Sequence, residues 1–223
     1  MLENQLERLV QEYNGAARST EEVPAWILPP RSCRFLEDIA ALLPPGSTAF
    51  EFGSGRSTHS LRRTSAGTTS VEDSGDWLAR TEQLEGSIPK RVSDFSEVVP
   101  LTRCWNRLRP IQSFKVRAPR ESLRRLQQAK LILVDSPPNP AKREHALFLA
   151  MNEAPAGAVI VLDDLEVSAT SRFAHRLAHQ NRDRFRFWLL TIDHQLGVFL
   201  KLRPGKMRSR PTLREFVGSW RRA

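Results

Sequence analysis

The sequence predicts an α/β protein: a mostly parallel sheet with helices on both faces, finished by an antiparallel hairpin. Three observations carry this. The run from Ala49 to Leu61 (Ala-Phe-Glu-Phe-Gly-Ser-Gly-Arg-Ser-Thr-His-Ser-Leu) reads as the end of a buried strand, a glycine turn and the first turn of a helix. Lys130-Leu-Ile-Leu-Val-Asp135 and Ala158-Val-Ile-Val-Leu-Asp163 are apolar runs that each end in an acid, the pattern of central parallel strands buried on both faces. Phe185 to Ile192 and Gly197 to Arg203 alternate or run apolar around Asp193-His-Gln-Leu-Gly, which is a hairpin signal.

Taken in order, residues 2–13 place Leu2, Leu6, Leu9, Val10 and Tyr13 on one helical face. A Pro-rich connection over 14–31 follows. A second helix is expected over 32–43, with Phe35, Leu36, Ile39, Ala40 and Leu43 as its stripe and Pro44-Pro45-Gly46 as its stop. After the glycine turn, Ser57 and Thr58 stand where they can cap the next helix. Thr68 to Glu72 reads as a second strand, and the stretch from Asp73 through Trp77 to Arg80 starts another helix. Ile88 to Val92 is expected as a third strand, with Asp94 beyond its tip. Val98 to Ala118 mixes aromatic and basic residues without a clear period. Glu121 to Lys130 and Val167 to Gln180 read as helices.

The totals bound the function. A chain of 223 residues with 40% apolar and 8% aromatic content is globular and can bury a full α/β core. No run reaches the roughly 20 apolar residues needed to cross a bilayer, and the first residues lack the apolar region of a signal peptide. Cys33 and Cys104 form neither a disulfide framework nor a metal spacing, which suits a reducing, cytoplasmic setting. The net charge of +9 is local. Residues 201–223 carry eight Lys and Arg against Glu215, whereas residues 1–200 hold 26 basic and 24 acidic groups, a net of +2. A basic tail does not make the domain a nucleic-acid binder. The expected organisation is an N-terminal helical segment (1–47), one α/β domain (48–203) and a basic amphipathic tail (204–223).

The glycine turn narrows the ligand. A dinucleotide fingerprint needs a third glycine where Thr58 stands, and the Gly-Lys-Ser/Thr of a phosphate loop is absent. Glu51 at the strand tip suits a cationic ligand. Glu51-Phe-Gly53-Ser-Gly55 resembles motif I of class I S-adenosylmethionine-dependent methyltransferases. Ser70-Val-Glu72-Asp73 with Trp77 is similar to their second motif, and Glu72, 21 residues after Glu51, stands where α/β nucleotide folds hold ribose hydroxyls. Asp135-Ser-Pro-Pro resembles the Asp-Gly-Pro-Pro motif IV of small-molecule O-methyltransferases. The likeness continues through Arg143 and Ala156-Gly157 to Asp163-Asp164, and spans Thr48 to Arg203. Ser136 and Ala156 replace glycines of that pattern.

The resemblance implies a Rossmann-like, seven-stranded sheet and S-adenosylmethionine held by Glu51, Gly53, Ser54, Gly55, Ser57, Thr58, Glu72, Asp73, Asp94 and Asp135. It implies methylation of a hydroxyl on a small molecule or glycan. Asp135, Asp163 and Asp164 fall on neighbouring strand tips, where three acids repel unless a cation or hydrogen-bond donors intervene. Mg²⁺ or a similar ion there would activate the acceptor. The alternative is that Asp163 or Asp164 caps the next helix and Asp135 bonds turn amides. Arg143 is expected to contact substrate or order the Asp135 loop. Asp135, Asp164 and His194 are the expected catalytic residues, and His145 is a second candidate base. His175 and His179 read as a solvated helix face.

Two rivals stand beside this reading. Ser136-Pro-Pro-Asn139 resembles the motif that holds a flipped adenine in nucleic-acid amino-methyltransferases, but Asn139 cannot stack on a base, which argues against nucleic acid. Leu213, Phe216, Val217 and Trp220 share one face of the basic tail. This motivates a non-catalytic protein of the same fold that docks on an anionic membrane or a protein partner. A homo-oligomer is compatible with the N-terminal helix.

Overall fold

The computed structural model describes residues 1–16, 28–84, 88–106, 109–114, 121–137 and 143–207. The tail residues Leu213 to Trp220 and Asn139 lie outside them. The chain opens with two helices, α1 (Leu2–Gly15) and α2 (Pro30–Leu42). The first half of the sheet follows: β1 (Ala49–Phe52), α3 (Arg56–Thr64), β2 (Thr68–Glu72), α4 (Gly75–Thr81) and β3 (Phe95–Val98). Leu101–Asn106 (β4) and Arg109–Phe114 (β5) pair as a separate antiparallel hairpin. The second half comprises α5 (Glu121–Leu126), β6 (Leu131–Val134), α6 (Glu144–Glu153), β7 (Val159–Leu162), α7 (Ser168–Gln180), β8 (Phe185–Thr191) and β9 (Gln195–Lys201).

Seven strands form one sheet in the order β3-β2-β1-β6-β7-β9-β8. The first five run parallel, and β9 and β8 close the sheet antiparallel. The alternation of side chains along each strand sends successive residues to opposite faces, and two cores result. Phe50, Phe52, Ile132, Val134, Ile160 and Leu162 face Leu147 and Met151 of α6 and Phe173 and Leu177 of α7. Ala49, Leu131, Leu133, Val159 and Val161 face Leu6, Phe35, Leu36, Ile39 and Leu61, so α1, α2 and α3 cover the second face. Lys201 is 1% exposed; its ammonium donates to the Met151 and Asn152 carbonyls (2.7 and 3.1 Å), which end α6.

The third strand differs from expectation. It runs from Phe95 to Val98, and residues 88–94 precede it as a connection. That connection is held by buried groups of α3. The Arg62 guanidinium, 2% exposed, donates to both Glu82 carboxylate oxygens (2.7 and 2.6 Å) and to the Ile88 carbonyl (3.0 Å). The Ile88 N–H donates to His59 Nδ1 (3.0 Å), leaving Nε2–H for the Thr81 carbonyl (2.8 Å). Backbone engaged in this way is not offered to a sheet ladder.

Candidate active site

The C-terminal ends of β1, β2, β6 and β7 lie side by side, and this edge gathers nearly all the residues singled out above. Gly53 makes the turn after β1 with φ of +99°, a conformation that favours glycine. A Cβ there would stand 3.0 Å from Ser136 Cβ on the neighbouring tip. Gly55 precedes α3 and Thr58 closes a reciprocal cap with it. Gly55 N–H donates to Thr58 Oγ1 (2.9 Å), and Thr58 N–H donates to the Gly55 carbonyl (3.1 Å).

Register explains the two glutamates. Glu51 of β1 stands opposite Ser70 of β2, and Glu72 follows two residues later, so all three side chains leave the same face. Glu51 is fully buried and accepts hydrogen bonds from Ser70 Oγ (2.6 Å) and Ser57 Oγ (3.0 Å). Burial outweighs these donors and raises its pKa to about 7. Ser57 therefore serves Glu51, and Glu51 buttresses the turn from beneath. Glu72 accepts from Ser54 N–H (2.9 Å), Ser54 Oγ (3.1 Å) and Asp73 N–H (2.8 Å). Burial, with Asp73 beside it, lifts its pKa to about 7 as well. Trp77 Nε1–H donates to the Ser54 carbonyl (2.6 Å), tying α4 to the glycine turn.

Asp94 is corrected. β3 pairs in parallel with β2, Thr69 opposite Phe95, so Asp94 precedes β3 at the far edge of the sheet. There it accepts from Thr68 N–H (2.8 Å) and the Arg91 backbone and guanidinium, which hold its pKa down against burial. It faces the start of the strands, away from the tips where an adenine would bind.

The acidic trio is brought together as expected, but its cation is a side chain. Arg143, 4% exposed at the start of α6, donates from Nη1 to Asp163 (3.3 Å) and forms ion pairs from Nη2 with Asp135 (3.0 Å) and from Nη1 with Asp164 (2.8 Å). Its Nε–H donates to the Pro137 carbonyl (3.2 Å). Asp163 also pairs with His194 Nε2 from the β8–β9 turn, and His194 Nδ1 lies 3.5 Å from Ser32 Oγ of α2. Asp163 is buried, yet His194 and Arg143 hold its pKa down to about 2. Burial works against a charged His194, but Asp163 outweighs it and raises the imidazole pKa. Burial and Asp163 push the Asp164 pKa up to about 6 and that of Asp135 well above its usual range. Asp164 adopts φ of +59°, a left-handed conformation uncommon outside glycine and of the strained kind found at functional sites. Asp135 and Asp164 keep 28% and 26% of their side chains exposed, against 9% for Asp163, so these two can meet a ligand. His145, in the first turn of α6, has its pKa lowered by burial.

These residues do not fit the divalent cation that the three acids suggested. Two unit charges about 4 Å apart interact by about 4 kcal/mol at an effective dielectric of 20, so a divalent ion beside the guanidinium meets roughly twice that repulsion. Among the described residues no group of three His, Cys, Asp or Glu is disposed to hold a metal ion. His175 and His179 are exposed on α7.

For a nucleoside cofactor the fit is better. A Cβ at Gly55 would meet nothing within 4 Å, so the turn has free space there, Glu72 and Asp73 stand at the adjacent tip, and Ser136 Oγ is buried with no hydrogen-bond partner among the described residues. Sequence reasoning missed Ser70 and Ser32, and it gave Arg143 a contact to substrate or the ordering of the Asp135 loop rather than a bridge across all three acids. Ser70 alone carried a signal, as a hydroxyl on a buried strand one register position from an acid.

No protein-family model matches the chain, and no curated protein matches its sequence. Solved structures do match. A protein from Corynebacterium glutamicum is similar over 91% of this chain and 98% of its own, with a TM-score of 0.56 at 14% identity. A putative caffeoyl-CoA O-methyltransferase from Staphylococcus aureus is similar over 90% and 91%, with a TM-score of 0.53 at 12% identity. A putative rRNA methylase from Clostridium thermocellum is similar over 77% and 96%, with a TM-score of 0.53 at 12% identity. The chain has the class I methyltransferase fold: a Rossmann-like seven-stranded sheet with a terminal antiparallel hairpin. No helix among the described residues is long and apolar enough to cross a membrane.

Proposed function

We propose that this protein is an S-adenosylmethionine-dependent methyltransferase acting on a hydroxyl of a small molecule or glycan. One observation carries the reading. The glycine turn, with free space at Gly55, the ribose-type acid Glu72 and the partly exposed acids Asp135 and Asp164 share one edge of the sheet, at neighbouring strand tips. When bound, S-adenosylmethionine supplies an electrophilic methyl group on a sulfonium. Glu72 would accept the ribose hydroxyls in exchange for its bonds to Ser54. Gly53, Ser54 and Gly55 would let the ligand approach the backbone, with Asp73 and Ser136 beside them. Asp164, close to neutrality in its pKa, would accept the acceptor's proton as the oxygen attacks. Asp135 would hold the acceptor from the other side. Aligning two reactants in this way is itself a large part of catalysis. His194 has a partner at each ring nitrogen, so it acts by holding Asp163 rather than as the base.

Titration calorimetry with S-adenosylmethionine tests the first step. Binding heat is expected for the wild type, with affinity reduced roughly 10- to 100-fold in Glu72→Ala and lost in Gly53→Val. Absence of heat from the wild type would overturn the reading.

A second reading, methylation of RNA, is favoured by the similarity to proteins described as rRNA methylases. The near-neutral charge of residues 1–200 weighs against it. Binding of labelled RNA that weakens steeply with salt would favour this acceptor instead.

A further inference from the structure

We propose that Arg143 is the resident cation of this site, standing where a divalent ion would bind and leaving Asp135 and Asp164 to meet the acceptor directly. The inference rests on the reading above but is carried by separate geometry. All three guanidinium nitrogens are engaged, with four partners from two strand ends: Asp135 and Pro137 after β6, and Asp163 with Asp164 after β7. A planar fork fits several carboxylates at fixed angles, which a hydrated point charge does not. The side chain is 5% exposed, so it is placed by the fold. The chain supplies it locally, because Arg143 begins the helix that leaves this same sheet edge.

The arrangement has two chemical consequences. The acids carry their own counter-ion at all times, so the acceptor pocket keeps its shape without metal loading. The acceptor is also read by hydrogen bonds to two carboxylates. This selects neutral or cationic molecules rich in hydroxyl or amine donors and rejects phosphates and carboxylates. Arg143 is thereby a positioning residue, acting through the three aspartates.

Manganese binding to the full chain, followed by paramagnetic relaxation of water, tests this without reference to activity. The wild type is expected to show no saturable Mn²⁺ site. Arg143→Ser, checked for folding by circular dichroism, is expected to acquire a saturable site that binds Mn²⁺ at least roughly tenfold more tightly than the wild type's non-saturating background, and Asp163→Asn in the same background removes it. Arg143→Gln, closer in length, is the second variant, with the same expected gain. A saturable wild-type site that Asp163→Asn abolishes would overturn the proposal, as would folded variants that gain nothing. A failure of the methyltransferase reading would show itself separately, as absent S-adenosylmethionine heat, and leaves the manganese result standing.

Discussion

At the scale of single residues, Glu51 shows how burial and chemistry trade against each other. An acid at the strand tip reads from sequence as a direct contact to a cationic ligand. Its two hydroxyl partners, Ser57 and Ser70, instead turn it into an internal brace. Its pKa rises from 4.5 to about 7 on folding, with burial the largest cause. The folded state therefore binds this proton more tightly than the unfolded chain. Stability from Glu51 is full below about pH 4.5 and is lost as pH rises through about 7. Glu51→Gln removes that dependence. The melting temperature of the variant minus that of the wild type is expected to become more positive between pH 5 and pH 8. A flat difference across that range in paired thermal melts would contradict the assignment.

At the scale of elements, α3 does more than follow the glycine turn. Arg62 and His59 project from it to fix Glu82, Thr81 and Ile88, and Arg62 Nε lies 3.8 Å from Asp94. One helix thus sets both the turn at the ligand edge and the approach to β3 at the opposite edge. Removing one member of a buried ion pair costs about 3–5 kcal/mol, because the remaining charge is left uncompensated. Arg62→Met is expected to lose about 3 kcal/mol in urea unfolding, toward the low end because Glu82 is 35% exposed. A loss under about 1 kcal/mol would show that the pair behaves as an ordinary surface bridge.

At the scale of the whole molecule, the legible parts of the fold were those decided by local pattern. The strands around Ile132 and Ile160 announce themselves by apolar runs closed by acids, those around Phe50 and Val71 by the glycine turn and the Glu51–Glu72 spacing, and the hairpin by alternation around Asp193. The third strand did not: Ile88 to Val92 is apolar only at its two ends, and the Ile88 backbone is claimed by Arg62 and His59, a demand made from another helix. Asp94 moved to the wrong edge with it. The three aspartates were legible as a cluster, since adjacent parallel strands put their tips together. Arg143 was legible as a residue that contacts substrate or orders the Asp135 loop, but not as the cation shared by all three, because nothing in its spacing says that the guanidinium also reaches the next strand tip. Register and periodicity are written locally, whereas which charge answers which is settled by tertiary packing.

Lys201 carries a practical corollary of that packing. Its amine is closed off under the last turn of α6, and burial also lowers its pKa, so amine-reactive reagents will bypass it while they mark Lys206 on the exterior. In graded denaturant, mass spectrometry of the peptide holding both lysines should show the second tag arriving only when the sheet parts from the helix. The protein thus contains its own gauge of cooperative opening, readable without any engineered probe.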